Sequence, residues 1–306
     1  MQPSASAVSP WKGIALALLA VVLWSGNFIV ARAWHNSISP VSLAFYRWSV
    51  ATVALLPFAV SFLKKDWPVI RKAWLSLLLT AFTGVTVFNT LIYVAGHYTT
   101  AINLALIGTT AAPLFVLLIA ATVLRQRLHI TQVIGALVCV LGILFLLSRG
   151  DLHALRNFHF NTGDLLILAA AFSFAVYTVM VRRKPPALSA VSYLFAVFFM
   201  GTILLLPFYL WELPSSQPVT WNGETLGMLL YLGLGASVAA FLLWNNAIRI
   251  IGPARTSLFG NLIPAFSAVE AAMLLGEEMT AAVWVSIALI AAGIVISNYV
   301  LFAGRR

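Results

Sequence analysis

The sequence predicts an all-α membrane protein in which ten transmembrane helices form two inverted five-helix repeats, with both termini in the cytoplasm. Three observations predict this fold class. Hydrophobic residues make up 62% of the 306-residue chain and charged residues 8%, the apolar residues gather in ten long runs, and the second half repeats features of the first. A membrane-spanning helix needs roughly 20 mainly apolar residues, and these runs are of that length.

The composition excludes several other classes of protein. A typical soluble domain carries about 25% charged residues, whereas this chain has a mean hydropathy of +0.99. Its net charge of +10 is explained by the placement of basic residues around a membrane and not by nucleic-acid binding. Cys139 is the single cysteine and lies in an apolar run, which excludes an internal disulfide and a Cys/His zinc site.

Ten apolar runs define the expected spans, and the first run is long enough to be retained as a helix and not cleaved as a signal. The runs are 11–33, 41–63, 73–95, 99–124, 131–148, 162–181, 188–210, 225–247, 254–275 and 281–302. The expected organisation is a cytoplasmic tail (1–10), a first repeat (11–148), a periplasmic linker (149–161), a second repeat (162–302) and a cytoplasmic tail (303–306).

The basic residues predict the orientation. With the N-terminus inside, 14 of the 18 Lys and Arg lie on the inner side, while only Arg32, Arg149 and Arg156 lie outside and Arg47 falls within a span. This bias follows the positive-inside rule. The inner residues are Lys12, Lys64, Lys65, Arg71, Lys72, Arg125, Arg127, Arg182, Arg183, Lys184, Arg249, Arg255, Arg305 and Arg306.

The two halves of the chain resemble each other at a shift of about 150 residues. A shift of 150 aligns LLPF at 55–58 with LLPF at 205–208, and a shift of 151 aligns Pro113 with Pro264. Because each half has five spans, an odd number, the halves are expected to lie in opposite orientations. Inverted repeats are typical of secondary transporters with a binding site near the midplane, so the sequence predicts alternating access.

The charges at equivalent positions agree with inversion. Arg125 and Arg127 end the fourth span on the inside, whereas Glu277 and Glu278 end the ninth span on the outside.

Local motifs resemble the drug/metabolite transporter superfamily, specifically its ten-span EamA branch. The first span carries LWSGNFIVAR (23–32) and the second AFYRW (44–48). The fourth reads YTTAINLALIGTTAAPLF (98–115) and the ninth GPARTSLFGNLIPAF (252–266), each with a central proline. The segment LLGEEMTAAVWVSIALIAAGIVI (274–296) is similar to the family's C-terminal pattern.

This resemblance implies a multi-pass transporter of the bacterial inner membrane. It implies that spans 1, 3, 4, 6, 8 and 9 line a central cavity and that spans 5 and 10 lie behind it. The length and ten-span plan are similar to those of bacterial amino-acid exporters, including exporters of aromatic amino acids. One departure is the end of the fourth span, where the family usually has Glu and this chain has Arg-Gln-Arg at 125–127.

Two prolines and two charges inside spans are candidate transport residues. Proline kinks a helix, so Pro113 and Pro264 are interpreted as hinges, with a static packing kink as the alternative. Arg47 and Glu270 each cost about 2.5–3.5 kcal/mol at a helix centre and should face the interior. Arg47 can bind a substrate carboxylate and Glu270 an ammonium or a coupling proton. A structural ion pair or a carbonyl-capping role is the alternative.

Polar and aromatic residues in the apolar runs are candidate walls of the site. A buried amide must find a partner, so hydrogen bonding between helices is the alternative reading. Tyr93 and Trp244 are equivalent in the repeat, and aromatic faces can stack on a flat side chain or hold a cation. The candidate substrate-binding residues are Ser25, Asn27, Asn89, Tyr93, Thr110, Tyr177, Trp244, Asn245 and Asn261.

The motifs favour transport without covalent chemistry. The sequence has no phosphate-binding Walker loop, no HExxH and no plausible Ser/His/Asp set at one depth, so we expect no enzyme, no cofactor and no metal. The expected partners are a small molecule, most simply an amino acid, and the lipid bilayer, without nucleic acid. Cationic drugs, nucleosides or sugars are alternative cargoes, and a membrane-embedded enzyme or sensor is a remote alternative. Energy coupling and oligomeric state are open, a monomer being one possibility.

Overall fold

The computed structural model describes residues 9–34, 38–95, 98–99, 101–148, 150–151, 161–216, 218–275 and 279–303. Side chains are described in these ranges except at 27–34, 101–106, 271, 274–275 and 300–303. Most of the predicted tails and linker, together with Glu277 and Glu278, lie outside the described residues.

The described chain is all-helical and forms ten helices, and each predicted apolar run falls on one of them. They are α1 (Pro10–Trp34), α2 (Pro40–Lys72), α3 (Trp74–Ala95), α4 (Ala101–Thr122), α5 (Ile130–Leu147), α6 (Thr162–Arg182), α7 (Ala190–Glu212), α8 (Gly223–Ile251), α9 (253–275) and α10 (Ala281–Ala303). Helix α9 comprises Pro253–Phe259, a 3₁₀ turn at Gly260–Leu262, and Ile263–Leu275.

The surface of the bundle is apolar along the helices. By length and composition, α2, α3, α5, α6, α7, α8 and α10 are able to cross a membrane, and α1 and α4 contain shorter apolar stretches at Pro10–Gly26 and Ile107–Thr122. Large hydrophobic side chains such as Phe58, Leu118 and Leu141 are exposed on these helices. A soluble protein rarely exposes such continuous apolar surface, so the bundle is that of a multi-pass membrane protein.

Helix α2 is longer than the apolar run that predicts it. The run ends at residue 63, whereas the helix continues through Lys64, Lys65 and Asp66 to Lys72. Helical hydrogen bonds are made by the backbone, and hydropathy reports the lipid-buried part of a helix. The apolar pattern therefore marks the spanning segment and not the end of the helix.

Two helices contain a π-helical segment, Phe82–Val87 in α3 and Tyr231–Ala239 in α8. Segments of this kind are rare and occur frequently at functional sites. Gly84 in the first segment approaches α6 so closely that an added Cβ would overlap the Tyr177 ring. Gly233 in the second approaches α2 in the same way. Both π-helical segments therefore lie at close contacts between helices in the interior.

The helices pack in a recurring pattern of pairs. Helix α5 packs along α10, α2 along α7, α4 against α6, α1 against α8 and α9, and α3 against α6 and α7. Helices α5 and α10 approach each other backbone to backbone, because a Cβ on Gly135 or on Gly293 would overlap the carbonyl oxygen of the other. Small residues allow backbones to approach this closely within a membrane.

Helices α2 and α7 run antiparallel, and a carboxylate near the end of each lies at the start of the other. The carboxylate of Glu212 on α7 accepts from the backbone N–H groups of Val41 at 3.0 Å and Ser42 at 2.8 Å. Asp66 on α2 accepts from the backbone N–H of Ser189, the N-cap of α7, at 3.1 Å. A carboxylate satisfies the unpaired N–H groups of a helix N-terminus and complements its dipole. The pair is thus tied together at both ends.

Candidate functional site in the interior of the bundle

Arg47 on α2 is the centre of a polar cluster inside the bundle, and it is only 2% exposed. Its Nε donates to Ser237 Oγ at 2.7 Å and its Nη2 to the Ala236 carbonyl oxygen at 3.0 Å, both on α8. Its Nη1 lies 3.4 Å from Asn89 Oδ1 and 3.4 Å from the Tyr93 hydroxyl, both on α3. One buried cation therefore joins three helices.

The π-helical segment of α8 supplies an acceptor to this cluster. A π turn changes the register of the backbone ladder, and Ala236 lies within it. Its carbonyl oxygen accepts from Arg47 and also from Trp24 Nε1 on α1 at 2.9 Å. A guanidinium presents five donors in a rigid fork and suits several fixed acceptors better than an ammonium does.

Buried aromatic rings pack beside Arg47. Its Cζ lies 5.1 Å from the centre of the Trp48 ring, a cation–π distance. Trp24 packs against Trp244 with 4.9 Å between ring centres and against Phe241 with 5.5 Å. Phe241 in turn packs 5.3 Å from Trp48. These rings form one continuous aromatic surface contributed by α1, α2 and α8.

Glu270 on α9 is the second charge in the interior. Ser25 Oγ donates to its Oε1 at 2.7 Å, whereas its Oε2 is buried and has no hydrogen-bond partner among the described residues. The Tyr231 hydroxyl donates to the Leu23 carbonyl oxygen at 2.8 Å. A Cβ on Gly26 would overlap that hydroxyl and would lie 3.6 Å from Oε2. A glycine at this point therefore makes room for the Tyr231 hydroxyl beside Glu270.

The two charges are close enough to act on one common group. Both Glu270 and Arg47 act electrostatically on the Tyr231 hydroxyl. They are also connected through adjacent residues of α1, because Trp24 shares the Ala236 carbonyl with Arg47 while Ser25 binds Glu270. A cation and an anion around the same stretch of α1 are complementary to a ligand that carries both charges.

Tyr177 on α6 and Asn245 on α8 form a second buried pair. The tyrosine hydroxyl donates to Asn245 Oδ1 at 2.8 Å. The Nδ2 of the same asparagine has no hydrogen-bond partner among the described residues. The Tyr177 ring packs 5.5 Å from Phe241, so this pair adjoins the aromatic surface.

The structure groups most of the candidate residues and separates a few. Ser25, Asn89, Tyr93 and Trp244 belong to the cluster around Arg47 and Glu270, and Tyr177 and Asn245 adjoin it. Asn261 is buried beside the Cys139 thiol of α5, and Thr110 is half-buried on α4. The side chain of Asn27 lies outside the described residues.

The two candidate hinge prolines have different surroundings. Pro113 is buried and α4 is continuously helical across it. Pro264 is half-buried and follows the 3₁₀ turn at Gly260–Leu262 that interrupts α9. A proline clashes with the carbonyl four residues earlier, which for Pro264 is that of Gly260, inside the 3₁₀ turn. The clash alone does not set the outcome, because α4 stays helical across Pro113.

Sequence reasoning missed three members of the cluster: Trp24, Tyr231 and Ser237. Ser237 had a detectable signal, since it is the single serine in a glycine-rich apolar run at 231–240. Trp24 lies in the motif at 23–32 but was not singled out, and Tyr231 had no signal, because aromatic residues of membrane helices more often lie in interface belts. Only the contacts of their polar atoms place them here.

An apolar helical bundle with charges held by polar side chains in its interior defines a multi-pass membrane protein of the transporter class. The chain belongs to the EamA-like transporter family, whose sequence pattern matches residues 11–148 and 161–299. This finding confirms the resemblance that the local motifs indicate.

The chain matches curated proteins named as transporters or efflux pumps over nearly their whole length. An uncharacterized transporter of Archaeoglobus fulgidus is 31% identical, with 86% of this chain and 89% of the relative covered. Proteins named "Probable amino-acid metabolite efflux pump" are 27% identical in Salmonella typhimurium and 25% in Escherichia coli, each with 93% of this chain and 94% of the relative covered.

A solved crystal structure shares the fold. It superposes with a TM-score of 0.74 over 96% of this chain and 99% of that chain, at 20% sequence identity.

Proposed function

We propose that the protein exports amino acids, including aromatic ones, across the inner membrane of a bacterium by alternating access. The observation that carries this proposal is the pairing of Arg47 with the half-satisfied carboxylate of Glu270 around one stretch of α1. Two relatives are named amino-acid metabolite efflux pumps, and these names support amino acids as the transported substrate.

A zwitterionic substrate would use both charges. The Nη1 contacts of Arg47 with Asn89 and Tyr93 are long at 3.4 Å, beyond the optimum for an N–H···O bond, so they are the contacts that a substrate carboxylate would replace. The substrate ammonium would bind Glu270 Oε2, which lacks a partner among the described residues. The rings of Trp24 and Trp244 would pack on an apolar or aromatic side chain of the substrate.

Alternating access would follow from two inverted halves. The family pattern matches two stretches of similar length, and π-helical segments occur in α3 and in α8, which are equivalent in the proposed repeat. In the proposed repeat, α2 is equivalent to α7 and α5 to α10, and each of these helices packs against its own equivalent. The contact of α4 with α6 is likewise equivalent to the contact of α9 with α1. Inside-facing termini are proposed on the positive-inside rule.

The two prolines would act as hinges in this cycle. Equivalent helices of inverted halves exchange conformations when access alternates. The observed difference between them, a continuous helix at Pro113 and an interrupted one at Pro264, is the asymmetry that one state of such a cycle requires.

A second candidate function is export of organic cations. It is favoured by Glu270 Oε2, which has no partner among the described residues, and by the adjacent aromatic surface, since both attract a positive charge. Replacing Glu270 by Gln would then abolish export of a cationic cargo and spare a neutral one. Equal loss of both would mean that Glu270 supports the structure only.

Uptake by proteoliposomes tests the proposal. Purified protein would be reconstituted and assayed with a labelled amino-acid mixture, with and without a pH gradient, against liposomes without protein. Saturable uptake that unlabelled amino acids inhibit is the expected result. Absence of flux of every amino acid by folded protein would contradict it and favour the cation, nucleoside or sugar cargoes.

A further inference from the structure

The last turns of α2 carry a positively charged surface at the end of the bundle where α3 begins. Lys64, Lys65, Arg71 and Lys72 are all exposed there. The helix continues through them to Lys72, although the apolar run that predicts its spanning part ends at residue 63. The exposed side of residues 64–72 is called the basic face of α2 below.

The four cations lie on one side of the helix. Asp66 is 3% exposed and Ile70 is 5% exposed, and these two residues, one turn apart, mark the side that packs on the bundle. At 3.6 residues per turn, the cations fall within an arc of about 120° centred opposite to that side. Because like charges grouped in this way repel one another, an anion that lies against the basic face is stabilised by all of them.

The protein supplies little negative charge to neutralise this face. Eight acidic residues occur in the sequence, and in the predicted orientation Asp66 is the only one at the inner ends of the helices. Its carboxylate is directed to the bundle, where it accepts from the N–H of Ser189 at 3.1 Å. It interacts electrostatically with Lys65 and also with Lys184, so several cations share one inward carboxylate.

Exposed aromatic side chains indicate that the basic face lies at the boundary between lipid and water. Trp67 is 59% exposed, and Trp74, the first residue of α3, is 55% exposed. Tryptophan is enriched at membrane–water interfaces. Phe58 and Phe62 are exposed on the preceding turns of α2 and extend the surface into its apolar part. Lipid headgroups occupy the level of the basic face, and their acyl chains the level of the apolar turns.

Two simpler roles leave part of this pattern unexplained. Cations in the last turn of a helix complement its dipole, which accounts for Arg71 and Lys72. That effect falls off within the last turn, so it does not account for Lys64 and Lys65, two turns earlier. The orientation of the chain depends on the number of inner cations and not on which side of a helix they face. Clustering opposite the packed side is therefore the feature that points to a ligand.

We propose that the basic face of α2 binds the phosphate of an anionic phospholipid headgroup, with the acyl chains lying along the exposed apolar turns of the same helix. In the predicted orientation this lipid belongs to the inner leaflet. Clusters of Lys and Arg directly beside a spanning helix are typical of anionic-lipid recognition. Free phosphate shares the headgroup chemistry, but the exposed Phe62 and Trp67 favour a ligand with an apolar part. The site is independent of which substrate the protein exports.

Native mass spectrometry of the full chain, released from detergent micelles, measures this binding directly. Phosphatidylglycerol is the probe, and phosphatidylcholine, which has a phosphate but no net charge, is the reference lipid. We expect phosphatidylglycerol to bind the wild type more tightly than phosphatidylcholine does. A fourfold variant should weaken its binding by about tenfold or more, since each cation near a lipid surface contributes about fivefold. This variant combines Lys64→Gln, Lys65→Gln, Arg71→Gln and Lys72→Gln.

The matched control removes the same number of exposed cations from other inner ends of the helices and should bind phosphatidylglycerol as the wild type does. It combines Lys12→Gln, Arg125→Gln, Arg127→Gln and Arg183→Gln. An equal loss in both variants would overturn the proposal, because binding would then follow the total inner charge.

Two further results would also overturn it. One is unchanged affinity of the fourfold variant for phosphatidylglycerol. The other is displacement of the lipid by an equal concentration of inorganic phosphate, which would show a site for small anions. If the fourfold variant does not fold, the pair Lys64→Gln with Lys65→Gln decides the matter by the same measurement, since neither residue lies in the last turn of α2. The charge-retaining pair Lys64→Arg with Lys65→Arg should bind as the wild type does.

Discussion

The hydroxyl oxygens of Thr52 and Thr202 lie 3.2 Å apart where α2 crosses α7, and the two residues are 150 positions apart in the chain. Each hydroxyl also lies 2.8 Å from the carbonyl oxygen four residues earlier, that of Trp48 and of Phe198 respectively. The sequence shift that aligns the two halves is also 150. A residue that meets its own equivalent lies on the axis relating two halves, so this contact supports the proposed two-fold relationship.

The close contact of α5 with α10 predicts a strong effect of one methyl group. Gly135→Ala would place a Cβ against the Gly293 carbonyl oxygen, with Ser297 also too close. We expect a loss of about 1–3 kcal/mol, the usual cost of overpacking, seen as a lower melting temperature in detergent. Gly227→Ala in α8 is the control, since nothing lies within 4 Å of its added Cβ. Equal melting temperatures for the two variants would contradict this packing.

The reciprocal carboxylates of α2 and α7 predict matched losses. Glu212→Gln removes the charge that accepts from Val41 and Ser42 at the start of α2, and Asp66→Asn does the same for Ser189 of α7. Each should lower the free energy of unfolding by about 1–2 kcal/mol, as loss of a helix N-cap does.

The matched control for these variants is Glu224→Gln, because Glu224 is exposed in the first turn of α8. It should leave the melting temperature nearly unchanged. A Glu212→Gln variant as stable as this control would show that the α2 cap does not stabilise the helix pair.

Arg47→Lys tests whether charge alone is sufficient in the interior. A lysine keeps the charge but cannot reach acceptors on both α3 and α8 with one rigid fork. We expect the initial rate of amino-acid uptake to fall by about tenfold to a hundredfold, the value of one hydrogen bond to a charged group. Arg183→Lys, at an exposed site, should transport normally. Normal uptake by Arg47→Lys would show that transport needs the charge and not the guanidinium group.

Glu270→Gln separates the role of the charge from that of the hydrogen bond. The glutamine oxygen can still accept from Ser25, so the melting temperature should change little, while the anionic Oε2 is lost. If this carboxylate binds the substrate ammonium or a coupling proton, the variant should lose uptake or its response to a pH gradient. Ser25→Ala is the complementary variant, because it removes the hydrogen bond and keeps the charge. A Glu270→Gln variant with normal, pH-responsive uptake would assign the carboxylate to structure.

Much of the fold could be predicted from the sequence because a membrane imposes simple rules. An apolar run of spanning length must be helical, since the lipid offers no partner to an unpaired backbone group. The described helices therefore follow the runs, with differences where a polar segment continues a helix, as in α2 beyond residue 63. The two charged candidates could also be predicted from the sequence, because burying Arg47 or Glu270 in hydrocarbon costs free energy whichever way the side chain points.

The arrangement of the interior was decided by tertiary structure. Hydropathy does not distinguish a tryptophan at the lipid interface from Trp24, whose indole shares the Ala236 carbonyl with Arg47. Nor does sequence spacing reveal that Ser25 binds Glu270 across 245 residues, or that Asn261 lies beside Cys139 instead. The sequence by itself determined which side chains need polar partners. Which partners they have depends on helix rotation and on the π turns, and these are set by the summed packing of all ten helices.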